Sequence, residues 1–74
     1  MWLPMELRRN LEAAAESLAS MEKRIAAEKE AAAQEGMDRP RDVIVRDKKL
    51  LVMARSRLKR LQIEAMNILK QEHQ

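Results

Sequence analysis

Apolar residues recur through the first half of the chain in alternating steps of four and three, the heptad spacing of a helix with one buried face. The positions are Leu7, Leu11, Ala14, Leu18, Met21, Ile25 and Ala32. Glu28 interrupts the series. Pro4 suits a first helical turn, and Gly36 stands where a left-handed residue commonly follows a helix. The pattern predicts a helix over about residues 4–35 and a tight turn at 36–38.

The second half of the chain repeats this spacing. The series runs through Ile44, Leu51, Ala54, Leu58, Leu61, Ala65 and Ile68, and its break falls at Asp47. It predicts a second helix over about residues 39–72, with Asp38 as the N-cap and Pro40 inside the first turn. A later start with Asp42 as the cap is the alternative, because the residue before a proline disfavours the helical conformation.

The two apolar series fit each other. If the chain folds back around Asp38, residues whose numbers sum to about 76 face each other. The pairs are Ala32 with Ile44, Ile25 with Leu51, Met21 with Ala54, Leu18 with Leu58, Ala14 with Leu61, Leu11 with Ala65 and Leu7 with Ile68. Glu28 then falls opposite Lys48, and Glu22 lies beside Arg55. The sequence therefore predicts an all-α, coiled-coil-like antiparallel hairpin.

A single hairpin domain over residues 1–74 can build only a small core, since the chain has one aromatic residue and no cysteine. A core in a chain of this size rarely supplies more than about 3–5 kcal/mol of stability. Natural proteins of this size often add stability by self-association. We therefore expect a homodimer in which two hairpins form a four-helix bundle.

Apolar residues that lie off the buried face indicate a second interface. On helix two they are Val45, Val52, Ile63 and Met66, and helix one has a small-residue face of Ala13, Ala19, Ser20, Ala26, Ala27 and Ala33. Trp2, with Leu3 and Met5, would lie at the open end of the hairpin, and tryptophan often anchors interfaces. We expect a small regulatory, inhibitory or adaptor protein that binds a protein partner through these residues.

Charge is divided unevenly between the two halves. From Met1 to Glu35, five basic residues oppose seven acidic ones, a net charge of −2. From Val43 onward, eight basic residues oppose three acidic ones, a net charge of +5. Pairing between antiparallel helices accounts for part of this division. The alternative function is binding of an RNA or DNA backbone through Arg46, Lys49, Arg57 and Arg60. No aromatic residue, Asn or Gln occurs between Arg46 and Arg60, so such binding would be directed at phosphates.

Other functions lack the residues that they require. The chain has no cysteine, no glycine-rich phosphate loop and a single histidine, His73. We therefore expect no enzymatic activity, metal, cofactor or small-molecule substrate. The apolar start is five residues long, too short for a signal peptide or a membrane span, and no other stretch approaches about eighteen apolar residues. The expectation is a cytoplasmic protein without membrane contact.

Overall fold

The protein is a pair of antiparallel helices, α1 (Met5–Gln34) and α2 (Arg41–Glu72), that pack against each other along their length. This computed structural model describes residues 3–72. The molecule is 57 Å long and 16 Å across in each of the other two directions. The predicted all-helical hairpin is thus confirmed.

Gly36 ends α1 in the way that the sequence indicates. Its φ is +68°, in the left-handed region. The Met37 N–H donates to the carbonyl of Ala32 at 2.9 Å, and the Gly36 N–H donates to the carbonyl of Ala33 at 3.1 Å. These two bonds are those of a Schellman motif, which satisfies carbonyls that the last helical turn leaves free.

Both prolines lie immediately before a helix, whereas the sequence placed them inside the first turn. The Pro4 carbonyl accepts from the Arg8 N–H at 3.0 Å, and the Pro40 carbonyl accepts from the N–H groups of Val43 and Ile44 at 3.1 Å. Helix α2 therefore begins at Arg41 rather than near residue 39. The expectations of a cap at Asp38 and a turn confined to residues 36–38 are wrong, because a residue before proline disfavours the helical conformation.

The core is one narrow seam between the helices. Leu7, Ala14 and Ala65 are its buried apolar residues. The other seam residues are half-buried, except for Ile44 at the turn end, which is exposed. Two helices can cover only one stripe of each other, so most apolar side chains outside the seam stay in solvent.

The solvent-accessible surface shows how little the hairpin buries. A compact protein with the chain mass of 8.6 kDa is expected to expose about 4,700 Å². This hairpin exposes 6316 Å², about a third more than that scaling gives. It buries about half of the surface of its extended chain, whereas domains of about 60 residues bury about 60%.

Candidate interaction surfaces

Arg39 joins the two helices at the turn end of the hairpin. Its guanidinium donates a hydrogen bond to the Asp47 carboxylate and lies 3.8 Å from the Glu28 carboxylate. Asp47 is only 5% exposed, and the Arg39 side chain is also largely buried. The breaks in the two heptad series therefore meet in one charged cluster, as the sequence suggests. The cation in it is Arg39 of the connection, where Lys48 was expected.

Glu22 and Arg55 pair across the helices midway along the hairpin, as expected, with 3.5 Å between their charged atoms. Residues three or four apart are neighbours on a helix surface. Val52 therefore lies beside Arg55, and Ala19 and Ala26 lie beside Glu22. This pair thus shows which flank of α1 and which flank of α2 belong to the same side of the molecule.

We call this flank the apolar side. It consists of Ala19, Ala26 and Ala33 on α1 and of Val45, Val52 and Met66 on α2, each set spaced by sevens or by multiples of seven. The exposed Lys59 interrupts the α2 row between Val52 and Met66. Val45, Val52 and Met66 are all well exposed, Val52 to 60%. The remaining small residues of α1, which include Ala13 and Ala27, lie on a different stripe, so the single small-residue face that the sequence suggested is divided in two.

An open groove of about 570 Å³ lies at the turn end of the apolar side, and we call it the turn groove. Its apolar lining includes Ile25, Ala33, Met37, Ile44 and Leu51. Lys29 and Lys48 also line it. Arg39, which lines the groove, occupies the seam there in place of an apolar side chain.

The other proposed partner-binding residues do not form one surface. Ile63 is exposed and lies three residues before Met66, on the outer back of α2. Met5 is exposed near the open end, and Leu3 is half-buried there. The proposal for Trp2 falls outside the described residues.

The opposite flank is the basic side, made of Arg24 on α1 and of Arg46, Arg57 and Arg60 on α2, with Lys49 at its border on the stripe of Ile63. All five basic side chains are exposed. Arg24 and Arg46 line the same groove, together with Leu50 and the carboxylates of Glu28 and Asp47. Arg57 lies on the stripe of Leu50, seven residues later, and Arg60 on the stripe of Arg46, fourteen residues later. Within residues 3–72, the basic residues in ion pairs are Arg39 and Arg55.

Reasoning from the sequence missed Arg24 and Met53 as members of this flank. Met53 is 59% exposed and lies on the stripe of Arg46 and Arg60, seven residues from each. Arg24 could have been found from its spacing, since it lies two residues after Glu22 and therefore on the opposite flank of α1.

The described residues contain neither a metal site nor a membrane helix. Residues 3–72 hold no group of three His, Cys, Asp or Glu residues that could bind a metal ion. No helix in the same range is long and apolar enough to cross a membrane. Comparison of the chain with protein-family models, curated proteins and solved structures finds no match.

Proposed function

We propose that this protein is a non-catalytic regulator or adaptor that binds other polypeptides through its apolar side. The observation that carries the proposal is the exposure of Val45, Val52 and Met66 on the flank that also holds the turn groove. An apolar row that continues into a groove is typical of a surface that another helix covers. The large exposed surface of the isolated hairpin supports the same conclusion.

The first partner that we propose is a second copy of the chain, giving a four-helix bundle. The Glu22–Arg55 pair indicates that residues whose numbers sum to about 77 lie at the same height. A two-fold axis along the hairpin would therefore stack Ala26 of one copy on Val52 of the other. Small residues would meet large ones in this arrangement, which permits close packing.

Charge favours a two-fold axis along the hairpin over a two-fold axis across it. With the axis along the hairpin, α1 of each copy lies on α2 of the other, and these halves of the chain carry net charges of −2 and +5. An axis across the hairpin would stack α2 on α2 and place like charges together. The least favourable contact of the preferred arrangement is at the turn groove, where Lys29 and Lys48 of both copies meet at one height.

Two adjacent residues of α2 provide a matched test. Val52 and Met53 are 60% and 59% exposed, but Val52 belongs to the apolar side and Met53 to the basic side. We expect Val52→Asp to abolish association in sedimentation velocity, while Met53→Asp leaves it unchanged. Circular dichroism should show both variants to be as helical as the parent protein. Equal association of the two variants would show that the apolar side is not the interface.

A different protein could occupy the turn groove if it carries acidic residues. Lys29, Lys48 and Arg39 outnumber Asp38 and Asp47 in the lining of the groove. Its apolar floor is therefore complementary to a helix whose apolar residues are flanked by carboxylates. In this regulatory or inhibitory form of the function, Lys29→Glu with Lys48→Glu would weaken capture of an acidic amphipathic helix. The same change would not weaken self-association.

A further inference from the structure

The basic side is a continuous surface that protein binding at the apolar side leaves open. Its α2 residues extend from Arg46 to Arg60, a distance of about 21 Å along the helix. Arg24 adds a cation from α1 at the Arg46 end, since both residues line one groove. The two carboxylates of that groove, Glu28 and Asp47, are both paired with Arg39.

The part of α1 that flanks these cations carries small, uncharged side chains. Counting in helical steps from Arg24, the same stripe holds Ala13, Ser17, Ser20 and Ala27, all of which are exposed. The nearby acidic residues of α1, Glu12, Glu16, Glu22 and Glu30, lie on other stripes. A low, uncharged strip therefore runs beside a row of cations. The carboxylates that border it are Glu16 and Glu30, one helical turn away, and Glu28, which is paired with Arg39.

We propose that the basic side binds the phosphate backbone of a nucleic acid duplex. Arginine side chains are suited to phosphate oxygens, which they contact through two parallel N–H groups. A 21 Å row of cations matches about six base-pair steps of 3.4 Å. The absence of aromatic residues, Asn and Gln between Arg46 and Arg60 leaves no side chain for base stacking or for bidentate contact with adenine. We expect binding directed at the backbone, with guanine the one base whose edge these arginines can also contact.

A duplex fits this surface better than an anionic membrane does. Helices that lie on a membrane insert a broad apolar face between their basic residues. On the basic side, Met53 is the only large, well-exposed apolar residue among the cations of α2.

The test is fluorescence anisotropy with a labelled DNA duplex and a labelled RNA duplex of mixed sequence, measured at several salt concentrations. If all five cations contact phosphates, the logarithm of affinity should fall with the logarithm of salt with a slope of about −4.5 on B-DNA. Affinity should then drop about 500-fold between 0.05 and 0.2 M salt. Arg57→Gln with Arg60→Gln should reduce the slope to about −2.7, and Arg24→Gln alone should reduce it to about −3.6.

The matched control removes two exposed cations from the other flank, Arg8→Gln with Lys59→Gln. It lowers the net charge by the same amount as Arg57→Gln with Arg60→Gln, and it should leave the slope near that of the parent protein. The proposal is overturned if the two double variants lose affinity equally, since net charge alone would then explain binding. It is equally overturned if neither duplex binds at 0.05 M salt, or if only vesicles containing phosphatidylserine bind.

Discussion

Glu22 and Arg55 stand 33 residues apart in the chain, yet their charged groups lie 3.5 Å from each other across the hairpin. This contact gives the register of the helices. Because the two residue numbers sum to 77, residues of α1 and α2 whose numbers have about that sum lie at the same height. The contact also shows that Val45 and Val52 of α2 and one set of alanines of α1 share a side. Both proposed surfaces are defined relative to this pair.

The Glu22–Arg55 pair should contribute little to stability although it reports the register. Both side chains are about half exposed, and exposed ion pairs contribute about 0.2–1 kcal/mol. We expect a double-mutant cycle with Glu22→Gln and Arg55→Gln to give a coupling energy in this range, measured by urea unfolding. The coupling should fall as salt is added. A coupling energy of zero at low salt would show that the two side chains do not pair in solution.

The Arg39–Asp47 pair should contribute far more. Arg39→Ala leaves the buried Asp47 carboxylate without its cation, and breaking a buried pair in this way costs about 3–5 kcal/mol. We expect a correspondingly large fall in the free energy of unfolding, followed by circular dichroism. Arg41→Ala is the control, because Arg41 is exposed and surface changes usually fall within about 0.5 kcal/mol.

Removing both charges separates pairing from packing at this site. Arg39→Met with Asp47→Leu leaves no buried charge, and apolar replacements of whole buried ion pairs are often neutral. This double variant should therefore be more stable than Arg39→Ala. If Arg39→Ala unfolds like the parent protein, Arg39 does not hold the turn end closed.

Gly36→Ala should destabilise the hairpin through the backbone alone. A Cβ at this position would have no atom within 4 Å, so the cost arises from the φ of +68°. A left-handed conformation costs a residue with a side chain about 1–2 kcal/mol. We expect Gly36→Asn to lose less than Gly36→Ala, because asparagine tolerates this region better. Equal melting temperatures for these two variants and the parent protein would contradict the Schellman ending of α1.

The apolar seam could be predicted from the sequence, because heptad spacing is a local pattern. Folding the two heptad series back on each other then predicts that Glu22 lies beside Arg55. The role of Arg39 could not be predicted, because this residue lies in the connection and outside both heptad series. Helix α2 begins later than the sequence pattern predicts because Pro40 disfavours the helical conformation at Arg39. The sequence predicts the residues of the apolar side and of the basic side as separate stripes on each helix. Which stripe of α1 shares a side with which stripe of α2 follows only from a contact between the helices, the Glu22–Arg55 pair.

Lys48→Glu should strengthen self-association. In the proposed dimer, Lys48 of one copy lies at the same height as Lys29 of the other, so the substitution replaces a repulsive contact with an attractive one. Sedimentation equilibrium should show a lower dissociation constant for Lys48→Glu than for the parent protein at low salt. Lys70→Glu, which makes the same charge change on an exposed residue near the end of α2, is the control. Equal strengthening by both variants would indicate that net charge, and not this contact, limits association.

Light scattering behind size exclusion, over a wide range of protein concentration at about 0.15 M salt, tests most directly whether two hairpins associate through their apolar sides. We expect a molar mass of twice the chain mass of 8.6 kDa for the parent protein and for Met53→Asp, and a single chain mass for Val52→Asp. A mass of one chain for the parent protein at every concentration, with full helicity and cooperative unfolding, would contradict association through the apolar sides.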